Sequence, residues 1–253
     1  MIQSIVFIFG LLIGSFLGVV ISRLPINETF VTGRSRCDSC KHVLSPLDLI
    51  PVFSYLFFKG HCRYCKVKLP IRYLILELLT GLLFMLNYIV FGFSYQFIIS
   101  TLLTIFLIII AYIDIDTMII YDRFHILIAG IAIIEIILLK SNILNHIIGT
   151  LIISIPFLIL AMISNGLGGG DIKLMAAAGF LLGVNKIFVA FIISSLIGGI
   201  YAIYVLINKK AKGKDAIPFG PFLCIGIYLG YLIGNPLLNW YLSLFMWWSI
   251  NNT

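Results

Sequence analysis

Two aspartates stand beside long apolar runs of this chain, where carboxylates are rare. Asp114 follows the apolar run 97–113, and Asp171 follows the glycine-rich stretch 166–170 between two other apolar runs. An ionisable group near the depth of a bilayer is costly, so it usually faces a cavity or a partner and marks a functional site. We therefore expect a paired-carboxylate site at one edge of a membrane domain.

Such a pair of carboxylates can activate water. Two carboxylates about 3 Å apart do not both ionise readily, so they share one proton. One then acts as a base for an attacking water and the other as an acid on a scissile carbonyl, which is aspartic-protease chemistry. The same pair can relay protons in a transporter, although the chain has one glycine break and no second repeated half. Asp171 alone is also explained as the N-cap of the following helix.

The residues around the two aspartates predict how each is held. Three glycines precede Asp171 and are expected to form an active-site loop: Gly168, Gly169 and Gly170. Consecutive glycines permit unusual backbone angles, and at membrane depth a broken helix is tolerated only where it lines a cavity or is buried in protein. In a helix through 112–117, Asp114 and Asp116 lie about 200° apart, so only one faces the interior. Asp122 is expected to be a solvated or capping residue.

Four cysteines form two CxxC motifs separated by 21 residues: Cys37, Cys40, Cys62 and Cys65. Paired CxxC motifs at this spacing are typical of a four-thiolate zinc site. Two disulfides or a redox pair are the alternatives, which a reducing cytosol disfavours. A bound metal would order a loop that has little apolar core of its own. His42 and His61 are expected to be ordinary loop residues, and Cys224 a small core residue.

The composition is that of an all-α, polytopic membrane protein. The chain is 61% hydrophobic and 11% charged, against about 45–50% and 25% in soluble domains. The apolar runs predict about eight transmembrane helices, with the first retained rather than cleaved as a signal peptide: 1–22, 73–91, 97–113, 124–139, 143–164, 172–184, 186–207 and 221–248. We expect two regions, 1–72 with the first helix and the cysteine loop, and 73–253 with the remaining helices.

Basic residues predict the orientation in the membrane. Of the 17 lysines and arginines, all but Lys140 and Lys186 fall in loops expected on one side. This bias places the 23–72 loop, Asp114 and Asp171 at the cytoplasmic face of the cell membrane, with both termini outside. The net charge of +7 is then explained by topology, and no nucleic-acid partner is expected.

Seven separate segments resemble motifs of the type IV prepilin peptidases, which are intramembrane aspartic proteases of the GxGD type. They occur in the family order across nearly the whole chain: 14–25, the paired CxxC motifs, 45–56, 72–78, 114–122, 168–174 and 217–221. Three positions depart from the family pattern. Leu74 and Tyr121 stand where the family has or often has proline, and Gly18 stands where it usually has asparagine.

The resemblance implies an activity and its partners. Asp114 and Asp171 become the catalytic pair, and the substrates become pilin or pseudopilin precursors that lie in membrane lipid while their short basic leaders stay in the cytosol. Many members of this family also methylate the new N-terminus with S-adenosylmethionine, an activity associated with the N-terminal half and the cysteine loop. Acidic loop residues offer contacts for a basic leader: Glu28, Asp38 and Asp48.

Overall fold

The computed structural model describes residues 1–31, 33–37, 39–164, 168–208 and 217–251, and this part of the chain is helical. Its α-helices are α1 (Ile2–Arg23), α2 (Phe53–Phe57), α3 (Arg72–Phe91), α4 (Tyr95–Thr117), α5 (Asp122–Leu139), α6 (Ile143–Ser164), α7 (Gly169–Ile207) and α8 (Gly220–Asn251). Two isolated β-bridges lie in the cysteine loop, and no strand is formed within the described ranges. The predicted all-α class is confirmed.

The chain divides into two compact units, Met1–Phe97 and Ile98–Thr253. In the first unit, α1 and α3 pack closely because small residues face each other. A Cβ added at Gly10 would lie 2.8 Å from the Cα of Gly81, and one added at Gly14 would lie 2.8 Å from the Cα of Glu77. Small residues let helix backbones approach in this way inside membranes. The loop between these two helices carries the cysteines.

In the second unit, α7 and α8 pack along a row of glycines spaced four residues apart on α8: Gly226, Gly230 and Gly234. A Cβ added at Gly230 would lie 2.8 Å from the Cβ of Ala190, and one added at Gly234 would lie 3.1 Å from the Cα of Lys186. Positions increase along α8 while they decrease along α7, so these two segments run antiparallel. Asp114 and Asp171 both belong to this unit.

Six helices of the described chain are long and apolar enough to span a membrane, so the predicted count of eight is not confirmed. Helix α5 is not among the six, and three charged residues lie along its 18 positions: Asp122, Arg123 and Glu135. The predicted runs 172–184 and 186–207 both fall within α7. The length and composition of the six helices establish a multi-pass membrane protein.

Helix α7 is interrupted at one glycine. Its 39 residues would extend for about 58 Å as a straight helix, roughly twice the thickness of a bilayer core. Gly183 has φ 70° and ψ 178°, which is not helical. Only glycine adopts this conformation readily. The sequence predicts a boundary between two spans at residue 185, and in the structure two helical segments meet at a kink two residues away, at Gly183.

Candidate functional site

Asp114 lies on the inward face of α4, one turn before the helix ends. Its side chain is buried, with 4% of the residue exposed, whereas Asp116 is exposed. The helix continues to Thr117, so its period separates the two carboxylates as predicted. The backbone N–H of Gly220 donates a hydrogen bond to Oδ2 of Asp114 at 3.0 Å. This bond joins the end of α4 to the beginning of α8.

Asp171 lies in the first turn of α7 and is also buried, with 8% exposed. Gly168 is the N-cap of this helix, and Gly169 and Gly170 are already helical. The backbone of Gly168 hydrogen-bonds to the Asp171 side chain, as the N3 residue of a capping box does. Asp171 is therefore not the N-cap that the alternative explanation required. Residues 166 and 167 of the glycine-rich stretch lie outside the described part of the chain.

The structure brings Asp114 and Asp171 into one buried site. The two carboxylates are close enough for their charges to interact. The buried thiol of Cys224 on α8 interacts electrostatically with both carboxylates, so Cys224 lies beside the pair. Cys224 is a core residue as expected, but its position beside the two aspartates was not predicted. Helices α4, α7 and α8 thus each contribute one side chain to this site.

An ion pair lies at the first turns of α5 and α7. Lys173 donates a hydrogen bond from Nζ to Oδ1 of Asp122 at 2.8 Å, and both side chains are exposed. Nδ1 of the buried His125 lies 3.4 Å from the same oxygen. Asp122 is solvated, as expected, and it also connects α5 to the helix that carries Asp171.

The four predicted metal-ligating cysteines come together in the first unit. The Sγ atoms of Cys37, Cys40, Cys62 and Cys65 all lie within 4.8 Å of one another, and those of Cys37 and Cys65 are 3.9 Å apart. A tetrahedral zinc with Zn–S bonds of about 2.3 Å separates its sulfurs by roughly 3.8 Å. All five cysteines of the chain are free thiols. The cluster can hold a metal ion, and the disulfide alternative is not supported.

Both CxxC motifs form the same turn. Lys41 donates its backbone N–H to the carbonyl of Cys37 at 2.9 Å, and Lys66 donates to the carbonyl of Cys62 at 3.0 Å. Both lysines have left-handed backbones, with φ 57° and 59°. Burial raises the pKa of the Cys37 thiol. Hydrogen bonds from the backbone at Cys40 and Ser39 and from nearby thiols lower the pKa by more than burial raises it, so the net value is about 7. The lowered pKa favours the thiolate form of Cys37, and thiolates are the form that binds metal.

The two histidines of the loop are not part of this cluster, as expected. His61 hydrogen-bonds through Nδ1 to the carbonyl of Lys59 at 2.8 Å. The ring of His42 lies against the ring of Tyr64, with centroids 3.7 Å apart. The cysteines alone supply the four ligands in the described part of the loop.

The acidic loop residues expected to meet a leader are engaged elsewhere. Glu28 pairs with Arg36 at 2.8 Å. The Asp48 side chain is only 6% exposed. Burial raises the pKa of Asp48, but hydrogen bonds from Ser45 and the other groups around the carboxyl lower it below its usual value. Asp38 lies outside the described residues, as do four of the basic residues used for orientation, Lys209, Lys210, Lys212 and Lys214.

A second buried polar cluster, formed by residues of α5, α7 and α8, was not predicted from the sequence. Glu135 on α5 is buried, and Tyr231 on α8 donates a hydrogen bond to its Oε1 at 3.1 Å. Lys186 on α7 lies near the charge of Glu135, with Nζ 4.9 Å from the centre of the Tyr231 ring. A carboxylate inside an apolar run is the same signal that identified Asp114, and it would have identified Glu135.

Comparison with known proteins shows similarity to prepilin peptidases in both units of the chain. The family model described as Bacterial Peptidase A24 N-terminal domain matches residues 8–91, and the one described as Type IV leader peptidase family matches residues 101–203. A prepilin leader peptidase/N-methyltransferase of Bacillus subtilis (strain 168) is 36% identical over 245 residues, which cover 95% of this chain and 98% of the relative.

Relatives from other bacteria carry the same name. The protein of Aeromonas salmonicida (strain A449) is 31% identical over 95% of this chain and 94% of its own length. That of Neisseria gonorrhoeae is 31% identical, with 93% of each chain covered. No solved structure matches the chain.

Proposed function

The chain belongs to the type IV leader peptidase family, and we propose that Asp114 and Asp171 are the catalytic pair with which it removes the leader of prepilin-like precursors. The observation that carries this assignment is the convergence of both buried carboxylates on one site in the second unit. The family match does not support the transporter alternative.

The pair can perform the hydrolysis with its own protons. One carboxylate takes a proton from water while the water oxygen attacks the scissile carbonyl, and the other carboxyl gives its proton to the carbonyl oxygen. The tetrahedral intermediate then collapses: one of its hydroxyl groups gives its proton to the carboxylate that had lost one, the C–N bond breaks, and the other carboxyl gives its proton to the leaving amine. The N–H of Gly220 holds Asp114 in position for these transfers. Fixed positioning of this kind supplies much of the rate enhancement of an enzyme.

The substrate would reach this pair from the membrane. The charge bias of the loops supports an orientation with the aspartates and the cysteine loop on the cytoplasmic side of the cell membrane. The apolar helix of a prepilin-like substrate would then approach through lipid while its leader stays in the cytosol.

Substitution of each aspartate by asparagine tests the assignment. We expect Asp114→Asn and Asp171→Asn to abolish leader removal from a co-expressed prepilin-like substrate, measured by mass spectrometry of the product. Asp116→Asn is the matched control, because Asp116 lies on the same helix but is exposed. This variant should cleave normally. Normal processing by either catalytic-pair variant, with the protein inserted and folded, would contradict the proposal.

We also propose that the first unit methylates the new N-terminus of the cleaved substrate, because the names of the relatives include an N-methyltransferase activity. S-adenosylmethionine would supply the methyl group: the lone pair of the amine forms the N–C bond, the C–S bond breaks with its electrons going to sulfur, and the amine loses a proton to water. The specific support is a cavity of about 380 Å³ in this unit, lined by residues of α1, α3 and the cysteine loop.

Zinc is the metal we propose for the four cysteines. Four thiolates in a tetrahedron are typical of structural zinc sites. Metal analysis of the purified protein should find about one equivalent of zinc, and a different metal or none would contradict this assignment. The functional division proposed from the sequence assigns methyl transfer to residues 1–72 and proteolysis to residues 73–253.

A further inference from the structure

The short connection between α4 and α5 lies against the first turn of α7. It consists of residues 118–121 and ends where α5 begins, at Asp122. A Cβ added at Gly170 would lie 3.0 Å from the Cβ of Ile120, and Gly170 directly precedes Asp171 in α7. The beginning of α5 is therefore held beside the turn that carries Asp171.

An ion pair joins α5 to α7 at the same place. Nζ of Lys173 donates a hydrogen bond to Oδ1 of Asp122 at 2.8 Å, and Lys173 lies two positions after Asp171. Residues two positions apart in a helix point about 200° away from each other. Asp171 therefore faces the buried site that it shares with Asp114, while Lys173 faces α5. The ion pair holds the first turns of α7 from the side opposite to the carboxylate.

A buried histidine lies beside this ion pair. His125 follows Asp122 by one turn of α5, and 8% of the residue is exposed. Its Nδ1 lies 3.4 Å from the same Oδ1 of Asp122 that accepts the hydrogen bond from Lys173. Within the described residues, neither ring nitrogen has a hydrogen-bond partner, and the charged groups that act on the ring are Asp122 of its own helix and Lys173 of α7. A buried polar group without a partner is costly, so this ring calls for an explanation beyond packing.

The charge of the ring decides which cation Asp122 can hold. A neutral imidazole leaves the carboxylate to Lys173. An imidazolium has two N–H donors and a positive charge, and it would lie beside the same oxygen as the ammonium group, so the two cations would repel each other. The Lys173 side chain is 59% exposed and can move into water, whereas the ring is buried and needs the carboxylate. Protonation of His125 would therefore displace Lys173 from Asp122.

We propose that His125 is a positioning residue of the peptidase, and that its neutral ring keeps the Asp122–Lys173 bridge closed and the first turn of α7 in place. The inference rests on the proposed catalytic role of Asp114 and Asp171, and it adds a residue that acts on Asp171 through α7. Protonated His125 opens the bridge and releases this turn, so the two carboxylates lose their fixed separation. Cleavage then depends on the charge of a group outside the aspartate pair.

The pH dependence of leader cleavage by the purified full-length enzyme tests the proposal, with a prepilin-like substrate in detergent. Wild type and His125→Gln are compared at about pH 7.5 and about pH 5, on either side of the ordinary pKa of histidine, about 6.5. Glutamine is polar but does not titrate. We expect the kcat of the variant relative to wild type to rise about three- to fivefold at the lower pH, a modest factor because an exposed ion pair is a weak restraint. A ratio that is the same at both pH values, or a change confined to KM, overturns the proposal.

His146→Gln is the matched control. His146 is also a buried histidine of the second unit, but its ring nitrogens have uncharged partners. Nδ1 lies 2.8 Å from the carbonyl oxygen of Phe180, and Nε2 lies 3.1 Å from the hydroxyl of Ser141. Protonation of this ring displaces no ion pair, so the relative kcat of the variant should be the same at both pH values. An equal rise in His146→Gln and His125→Gln would overturn the proposal.

Asp122→Asn tests the route by which His125 acts. Without the carboxylate there is no bridge for the ring to open, so adding His125→Gln to Asp122→Asn should have the same effect at both pH values. A rise that persists in this background contradicts the proposal. If His125→Gln does not fold, Asp122→Asn decides alone, because its side chain is exposed and the variant has no bridge to lose. Its kcat relative to wild type should rise at the lower pH, and a constant ratio overturns the proposal.

The aspartate variants separate this proposal from the function on which it rests. Asp114→Asn and Asp171→Asn are assayed with the same substrate. If both are inactive and the ratio for His125→Gln is constant, the catalytic pair stands and the positioning role fails. If either cleaves normally, the catalytic assignment fails and the role of His125 fails with it.

Discussion

At the scale of single residues, Gly220 is the position with the least room beside the aspartate pair. A Cβ added to it would lie 2.6 Å from Oδ2 of Asp114 and 2.9 Å from its Cγ. Both distances are far below van der Waals contact, so any side chain at this position must move the carboxylate. The same glycine supplies the N–H that bonds to Asp114.

Substitution of Gly220 by alanine should therefore lower the rate of leader cleavage about 100-fold, since a displacement of about 1 Å at a reacting group has an effect of that size. The measurement is the initial rate of cleavage by the purified enzyme. Gly130→Ala is the control, because Gly130 lies within α5, outside the glycine loop, and a Cβ at this position meets nothing within 4 Å. Equal rates for the two variants would show that Gly220 does not position Asp114.

The burial of a single residue could be predicted from the sequence more readily than its contacts. The contrast between Asp114 and Asp116 follows from helical period alone, because two residues within one helix have a fixed angular relation. The contact between Asp114 and Gly220 joins positions 106 residues apart. No local pattern encodes that distance, so only the folded structure could reveal it.

At the scale of helices, three elements of the second unit meet at a buried polar cluster. Glu135, with 4% exposed, comes from α5, Lys186 from α7 and Tyr231 from α8. Asp122 and Glu135 are 13 positions apart on α5, so this cluster lies about 20 Å along the helix from the Asp122 ion pair. A buried charge is strongly destabilising when its partner is removed. The contacts of this cluster therefore hold α5, α7 and α8 together.

Removing the cation of this cluster should destabilise the protein strongly. We expect Lys186→Met to lower the free energy of unfolding by on the order of 3 kcal/mol, because it leaves Glu135 buried without a counter-charge. The double variant Lys186→Met/Glu135→Gln should recover most of the loss. Unfolding in detergent measures both.

Lys173→Met provides the comparison, since Lys173 pairs with Asp122 at the surface and exposed pairs contribute about 0–1 kcal/mol. A similar decrease in the free energy of unfolding for the two lysine variants would show that the buried cluster contributes no more to stability than the exposed ion pair.

The break in α7 also makes a prediction at this scale. Gly183→Ala should cost about 1–3 kcal/mol of stability, because alanine at φ 70° is strained and its Cβ would collide with the Asn145 side chain. Gly199→Ala on the same helix should be neutral or slightly stabilising, since nothing lies within 4 Å of the added Cβ and alanine favours helix. Thermal unfolding of both variants decides the matter, and a stable Gly183→Ala would contradict the strain argument.

Hydrophobic runs predicted most of the helices but not how they are joined. The runs 172–184 and 186–207 were identified, yet the chain passes between them through a single non-helical glycine rather than a loop. Hydropathy indicates which segments are apolar enough to lie in lipid. It carries no information on the backbone angles of a single residue, so it could not show that the break is a kink at Gly183. Helix α5 was predicted as a span although it carries three charged residues, and two of them, Asp122 and Glu135, each accept a hydrogen bond from a residue on another helix.

At the scale of the whole molecule, the two proposed activities are assigned to two different compact units. The metal-binding cysteines and the cavity lie within Met1–Phe97, and the aspartate pair lies within Ile98–Thr253. Family motifs in the sequence identified both regions. They did not reveal the cavity, because its lining comes from α1, α3 and the loop together.

Removal of the metal should consequently separate the two activities. We expect chelation to abolish S-adenosylmethionine binding, because the loop wall of the cavity depends on the metal for its order. Leader cleavage should persist, because the four cysteines of the cluster all belong to the other unit, and Asp114 and Asp171 do not. Both are measured on one preparation, before and after chelation. Loss of cleavage on chelation and its return with zinc would show that the units depend on each other.

The two matching cysteine turns have a consequence for assembly of the loop. Each turn is closed by its own short-range hydrogen bond, so each can present two sulfurs before the other is in place. The 21 residues between the CxxC motifs act as a tether that sets the effective concentration of one turn around a metal held by the other. Effective concentration falls as a flexible tether lengthens. Insertions between the motifs should therefore weaken metal capture gradually, whereas loss of either turn should halve the number of ligands at once.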